Sequence, residues 1–139
     1  MVKTPIETAK DWLQTAELAL NAGRYEQAIY ALEMSVEIAF KAVLISMRVE
    51  VPKVHDIRKP ISLFLQGNKA VPKDFLNELD DYISTFKTLL SLRSMVGYGF
   101  EGGFENTDMK KQAEILFTKC RRIIAACETA IQKQNTGKR

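Results

Sequence analysis

Residues 31–47, ALEMSVEIAFKAVLISM, decide which fold this chain can adopt. Apolar residues recur at helical spacing on one side of this segment: Leu32, Val36, Ala39, Val43 and Met47. A second apolar stripe has the same spacing on another side: Ala31, Met34, Ile38, Ala42 and Ile45. A helix that is apolar on two sides lies at the centre of a bundle or at a subunit interface. We therefore predict a long helix from about Arg24 to Arg48 in one of these two positions.

The rest of the chain also follows helical spacing, and no run of residues alternates as a strand would. Thr4-Pro5 is a helix start signal, and Gly23 suits a left-handed helix end. His55 or Asp56 is expected to cap a short helix. Helices are predicted over about residues 5–21, 54–65, 74–96 and 106–134. The predicted fold class is all-α, an up-down bundle of four main helices plus one short helix.

Length and composition fit one globular unit. The chain has 139 residues, 27% of them charged, and a net charge of +3. We predict a single helical domain over residues 1–134, followed by a frayed basic tail at 135–139. No segment approaches the roughly 20 apolar residues of a membrane span, and the N-terminus lacks an apolar signal core. We therefore expect a cytoplasmic protein without membrane contact.

The two cysteines are interpreted as structural. Cys120 and Cys127 lie seven positions apart on one apolar stripe, which is typical of small core residues. No CxxC pair occurs, and His55 is the only histidine in the chain. Zinc sites in proteins need several such ligands. The sequence therefore predicts neither a metal site nor a cofactor.

Glycines at positions 97, 99 and 102 spell G-x-G-x-x-G, as in dinucleotide-binding loops. That fingerprint requires the glycines to follow a strand and to open a helix. Here they follow a predicted helix, and no P-loop lysine accompanies them. We interpret the glycines as a helix stop that permits a chain turn.

Arg93 continues an apolar stripe formed by Tyr82, Phe86 and Leu89, so its side chain should project towards the bundle interior. A buried guanidinium needs a carboxylate partner or a polar cleft. Glu33 and Glu37 of the long helix are the candidate partners. Two interpretations stay open: a structural ion pair, or an anion site that binds phosphate.

The sequence resembles the prokaryotic HEPN domains over nearly its whole length. The likeness rests on four places: residues 9–12 with Leu18 and 23–28, residues 31–42, His55-Asp56-Ile57, and Arg93 followed by Tyr98. The resemblance implies a helical bundle that is usually a homodimer. It also implies a metal-independent ribonuclease or antitoxin-controlled toxin, often paired with a minimal nucleotidyltransferase.

The chain departs from the family pattern at one position. Active members carry an arginine, four to six residues and then a histidine. Arg93 matches the arginine, but Tyr98 stands in the place of the histidine. A phenol with an ordinary pKa near ~10 is a poor acid–base group at neutral pH. We predict that Arg93 and Tyr98 bind nucleotide or RNA. Phe100 stands in the place of the tyrosine that often follows the histidine by two positions in family members that are paired toxins.

Three functional hypotheses follow. The first is a HEPN module that binds nucleotide or RNA, dimerises near Arg93 and works with a nucleotidyltransferase. The second is an active metal-independent ribonuclease, in which Arg93 and Tyr98 are the catalytic candidates or His55 supplies the base. The third is an interaction or scaffold protein in which Arg93 forms a structural ion pair. For His55 the alternative to a base is a capping or packing role.

Positive charge concentrates in the last helix. From residue 110 to the end the chain has eight basic residues against two acidic ones. Arg121 and Arg122 are predicted to approach Arg93, if the last two long helices pack antiparallel, and to bind nucleotide or RNA. The alternative is an ordinary solvated basic face.

Overall fold

The computed structural model describes residues 2–96 and 106–136, which form five α-helices and no strand. The helices are α1 (Pro5–Asn21), α2 (Tyr25–Ser46), α3 (Arg58–Leu65), α4 (Lys73–Val96) and α5 (Asn106–Thr136). The predicted all-α bundle of four long helices and one short helix is confirmed. Within this bundle one hydrophobic core draws residues from every helix.

Helix α2 lies at the centre of the bundle. It packs against each of the other four helices, and 13 of its 22 residues are buried. Both predicted apolar stripes contribute to the core, through residues such as Leu32 and Val36 on one side and Ala31 and Ala42 on the other. The central position accounts for most of the first stripe and for Ala31 and Ala42 of the second, whereas Met34 and Ile38 are only partly buried and Ile45 is exposed.

Helices α2 and α4 run antiparallel with a defined register. The rings of Phe40 and Phe86 meet edge to face, with centroids 5.7 Å apart. Seven residues earlier on α2 and seven later on α4, Glu33 and Arg93 also face each other. Because the aromatic pair is fully buried, its packing fixes the level at which Arg93 meets α2.

The helix ends follow the sequence signals except at α3. Thr4 Oγ1 accepts a hydrogen bond from the backbone N–H of Glu7 at 3.3 Å, and Gly23 has a φ of 74°. The prediction that His55 or Asp56 caps a helix starting near residue 54 is wrong, because α3 begins at Arg58 with Ile57 at the cap position. Asp56 instead binds the Arg58 side chain and backbone N–H, and His55 binds Glu37.

Cys120 and Cys127 are both fully buried in the core. Burial raises the pKa of each thiol, so both remain neutral and apolar in character. Their interpretation as small core residues is confirmed. The next helical turn of the same stripe, at Ala130, is buried as well.

Two further features bear on the sequence predictions. Helix α5 runs to Thr136, and residues 137–139 of the predicted tail lie outside the described ranges. None of the helices in the described ranges combines the length and the apolar character that crossing a membrane requires. The single-domain boundary at residue 134 and the cytoplasmic location stay predictions.

Candidate functional site

Arg93 lies in the last turn of α4 and faces the central helix. Its Nη1 donates a hydrogen bond to Glu33 Oε2 at 2.9 Å. The Glu33 side chain is 0% exposed, whereas the Arg93 side chain is 32% exposed. The guanidinium therefore spans the boundary between the core and solvent. It is neither sealed in the interior nor free in bulk water.

The face of the same guanidinium lies over an aromatic ring. Arg93 Cζ is 4.5 Å from the centroid of the Tyr30 ring, within the range of a cation–π contact. Tyr30 precedes Glu33 by almost one helical turn on α2, and its ring packs edge-on against Trp12 of α1. Tyr30 was not among the predicted site residues, although its spacing of three from Glu33 places both residues on one face of α2.

Glu33 is an unusual carboxylate because its surroundings oppose its charge. Burial, and secondly the negative charge of Glu37, raise the pKa of Glu33 to about 7, while Arg93 acts in the opposite direction. Glu33 Oε1 is buried and accepts no hydrogen bond from any residue that the structure describes. The salt bridge to Arg93 thus offsets only part of the cost of burying this group.

Glu37, one turn further along α2, holds two nitrogen groups. Its Oε2 accepts from Lys41 Nζ at 3.0 Å, and its Oε1 lies 3.2 Å from His55 Nδ1. The Glu37 side chain is 4% exposed, whereas the His55 side chain is 71% exposed. Of the two carboxylates considered as partners of Arg93, Glu33 is therefore the one that binds it.

We call the arrangement of Tyr30, Glu33 and Arg93 the Arg93 cleft. A guanidinium has five N–H donors, and the only Arg93 hydrogen bond within the described part of the chain uses Nη1. Tyr30 supports one face of the group, and Glu33 holds one edge. The partly exposed remainder can donate to an anion such as a phosphate oxygen, for which a planar guanidinium is well suited.

The other predicted site residues lie elsewhere. Tyr98 falls outside the described residues. The Arg121 guanidinium lies 5.8 Å from the Phe117 ring and lines a groove between α1 and α5. Arg122 is exposed on α5.

Helices α4 and α5 are antiparallel, as Gln134 bonds to the Ala70 carbonyl at one end of the pair. That register sets Arg121 about ten residues, or roughly 15 Å, from the level of Arg93. The structure thus does not bring Arg121 next to Arg93: the two helices are antiparallel as expected, but their register places the two arginines at different levels of the bundle.

Metal ligands are not grouped in the part of the chain that is described. No set of three or more His, Cys, Asp or Glu side chains there is arranged to hold a metal ion. Cys120 and Cys127 are buried in the core, and His55 is bound to Glu37. The functional groups in and beside the Arg93 cleft are a guanidinium, two carboxylates, the phenol of Tyr30, an ammonium group and an imidazole.

Comparison with known proteins gives one match. The family model described as HEPN domain matches residues 2–130 of the 139-residue chain. No curated protein and no solved structure matches the chain. The matched range includes Tyr30, Glu33 and Arg93, so the cleft lies within the part of the chain that the family model covers.

Proposed function

Since this chain belongs to the HEPN domain family, we propose that it binds nucleotide or RNA through the phosphate groups in the Arg93 cleft. The observation that supports this proposal is that the Arg93 guanidinium is anchored and still partly exposed. Its guanidinium is anchored to a buried carboxylate on one side and is still 32% exposed on the other. An anchored, partly dehydrated guanidinium binds phosphate better than a mobile one, because less conformational entropy is lost on binding.

We propose that the protein binds RNA at Arg93 and does not cleave it through the family's arginine–histidine motif. Tyr98 replaces the motif histidine, and a phenol does not take a proton readily near neutral pH. Tyr98 is proposed to contact the bound nucleotide. Arg121 and Arg122 stay predicted contacts, and at their distance from Arg93 they would contact other phosphates of a longer RNA.

A binding titration tests the proposal. Fluorescently labelled single-stranded RNA of mixed sequence, and a labelled ribonucleotide, are titrated with the wild-type protein at several salt concentrations. Arg93→Gln removes the charge, and we expect at least about a tenfold loss of affinity together with a shallower salt dependence.

The matched control is Arg48→Gln, which removes the same charge at an exposed position. Arg48 follows the C-terminal end of α2. It lies 15 residues beyond Glu33, or roughly 22 Å along the helix direction. Its affinity should stay within about threefold of wild type. Equal affinities for the two variants, or no binding by wild type, would refute the proposal.

We further propose that the protein is a homodimer that associates near Arg93 and works with a minimal nucleotidyltransferase in a toxin–antitoxin-like pair in the cytoplasm. The support is the family and one surface feature: the Tyr30 ring beside Arg93 is 42% exposed. Light scattering at increasing protein concentration tests the dimer. A monomeric mass throughout would refute self-association.

Co-purification with a tagged nucleotidyltransferase encoded beside this chain tests the pairing.

A scaffold role is the second candidate, and the observation that favours it is the Arg93–Glu33 hydrogen bond itself. In that case Arg93 stabilises the fold and contacts no ligand. Thermal unfolding distinguishes the two roles, because a ligand that binds only the folded state raises the midpoint. A lower midpoint in Arg93→Gln, with no shift of wild type on adding RNA, would favour the scaffold role.

A further inference from the structure

Glu33 holds Arg93 with one of its two oxygens and leaves the other oxygen without a donor. Glu33 Oε2 accepts from Arg93 Nη1 at 2.9 Å, whereas the buried Oε1 accepts no hydrogen bond within the described residues. An ionised carboxylate in this position lacks hydrogen bonds that would stabilise its charge. A protonated carboxyl group suits the position better, because its hydroxyl becomes a donor and its other oxygen still accepts from Arg93.

The neighbouring carboxylate of Glu37 favours the same protonated form. Burial makes the largest contribution to the raised pKa of Glu33, followed by the charge of Glu37 and a hydrogen bond between the two side chains, and Arg93 lowers it. Lys41 and His55 are bonded to Glu37, so they do not supply the donor that Glu33 lacks.

The charged groups of the other helices lie away from Glu33. On α1, α3, α4 and α5 the described charged side chains other than Arg93 are exposed, with two exceptions that are partly buried. One of these, Arg58, is bonded to Asp56, and the other, Glu128, is bonded to Lys10. The protonation of Glu33 is therefore governed by its burial, by Glu37 and by Arg93.

A phosphate and an ionised Glu33 compete for the same guanidinium. When Glu33 is ionised, the pair that it forms with Arg93 has no net charge, and an anion that approaches the exposed edge of Arg93 also meets a negative carboxylate. When Glu33 is protonated, the cleft carries the full positive charge of Arg93. The neutral carboxyl group still accepts from Nη1, so the guanidinium stays anchored.

We propose that Glu33 regulates the Arg93 cleft, in that RNA phosphate binds Arg93 tightly only when Glu33 carries a proton. This inference rests on the proposed function, because it requires RNA to bind at Arg93. Since the pKa of Glu33 is raised from 4.5 to about 7, binding strengthens as pH falls through about 7 and weakens above it. Binding above that pH takes up a proton.

The test measures RNA affinity at two pH values and constant ionic strength. Fluorescently labelled single-stranded RNA of mixed sequence is titrated with wild type and Glu33→Gln at pH 6 and pH 8. Wild type should lose about tenfold in affinity from pH 6 to pH 8, because the protonated fraction of a group with a pKa of about 7 falls by that factor. Glu33→Gln imitates the protonated form and should bind at both pH values within about threefold of wild type at pH 6.

His55→Asn is the matched control, because a histidine also gains positive charge as pH falls. This variant should keep the pH dependence of wild type. Calorimetry of RNA binding at pH 8, in two buffers with different ionisation enthalpies, counts the proton directly. Wild type should take up about one proton per protein molecule that binds, and Glu33→Gln almost none.

The outcomes separate this inference from the proposed function. An equal change with pH in wild type and Glu33→Gln, or binding without proton uptake, would overturn the role of Glu33 and leave RNA binding at Arg93 standing. Loss of the pH dependence in His55→Asn would assign it to His55 and overturn the role of Glu33 as well. Absence of RNA binding by wild type at both pH values would remove the proposed function together with this inference.

Discussion

Two carboxylates on neighbouring turns of α2 differ in their hydrogen-bond partners. Glu33 has one partner, Arg93, and an oxygen that accepts no hydrogen bond from the described residues. Glu37 has two partners, Lys41 and His55, one for each oxygen. Both side chains are almost completely buried. The two carboxylates therefore differ in their partners although both are buried, and burial is the main cause of the raised pKa of Glu33.

The difference bears on the Arg93 cleft, where one carboxylate oxygen has no hydrogen-bond partner among the described residues. An incompletely paired carboxylate is costly to ionise, and protonation of Glu33 frees Arg93 from its counter-charge. An incoming phosphate can then serve as the partner of the guanidinium. At Glu37 each oxygen has a partner, Lys41 for Oε2 and His55 for Oε1.

The largest expected effect is the pH dependence that Glu33 imposes on stability. Its folded-state pKa is raised from 4.5 to about 7, so the folded state binds the proton more tightly than the unfolded state. Stability from this group is therefore full below about pH 4.5 and is lost as pH rises towards about 7. Relative to wild type, Glu33→Gln should gain about 2 to 3 kcal/mol between pH 5 and pH 8.

Urea unfolding of both proteins at the two pH values measures this gain. The difference between the two proteins cancels the contributions of other titrating groups. Glu37→Gln, one turn away, should weaken the pH dependence without removing it, because the charge of Glu37 contributes to the raised pKa of Glu33. A constant difference between wild type and Glu33→Gln across the pH range would contradict the account.

Removal of the counter-ion should give the next largest effect. In Arg93→Ala the Glu33 carboxylate has lost the neighbour that favours its charge, so its pKa should rise further in the folded protein. The stability cost should be about 1 to 2 kcal/mol greater at pH 8 than at pH 5. In a Glu33→Gln background the same replacement should cost equally at both pH values, and unfolding of the double variant checks this. A pH-dependent cost in that background would assign the effect to another group.

The aromatic support of Arg93 should contribute less. Tyr30→Leu removes the ring beneath the guanidinium and should cost about 0.5 to 1 kcal/mol, as expected for a partly exposed cation–π contact. Tyr30→Phe keeps the ring and should be close to neutral. Thermal or urea unfolding measures both. An equal cost for the two variants would point to the hydroxyl group instead of the ring face.

The smallest effect is expected at His55. Its side chain is 71% exposed, so His55→Asn should change the free energy of unfolding by less than about 0.5 kcal/mol. This change should be much smaller than that of Glu33→Gln, because the bond between His55 and Glu37 holds a largely exposed side chain. A loss above about 2 kcal/mol, measured by urea unfolding, would show that His55 is structural.

The sequence was sufficient to predict the parts that depend on periodicity. The two apolar stripes of α2 predicted that it lies at the centre of the bundle or at a subunit interface, and the stripe ending at Arg93 predicted a side chain directed towards the bundle interior. The Thr4 and Gly23 signals predicted the ends of α1. In each case the burial pattern or a local hydrogen bond is encoded within a few residues, and no knowledge of the packing partners is needed.

The parts that depend on register could not be predicted. Glu33 and Glu37 lie on nearly the same face of α2, and only the packing of Phe40 against Phe86 decides which of them meets Arg93. Tyr30 was missed for the same reason. The approach of Arg121 to Arg93 was expected from charge and order along the chain, and the antiparallel register of α4 and α5 separates them. His55 was assigned to a cap because its partner is remote in sequence.

The most direct test of the Arg93 cleft observes the guanidinium itself. In a ¹⁵N-labelled protein, the Arg93 Nε–H signal is identified by its absence from Arg93→Gln and is followed while single-stranded RNA is added. We expect this signal to shift in a saturable way while the Arg48 signal stays in place. The dissociation constant should equal that of the titration with fluorescently labelled RNA. An unmoved Arg93 signal in a protein that visibly binds RNA would contradict the central claim.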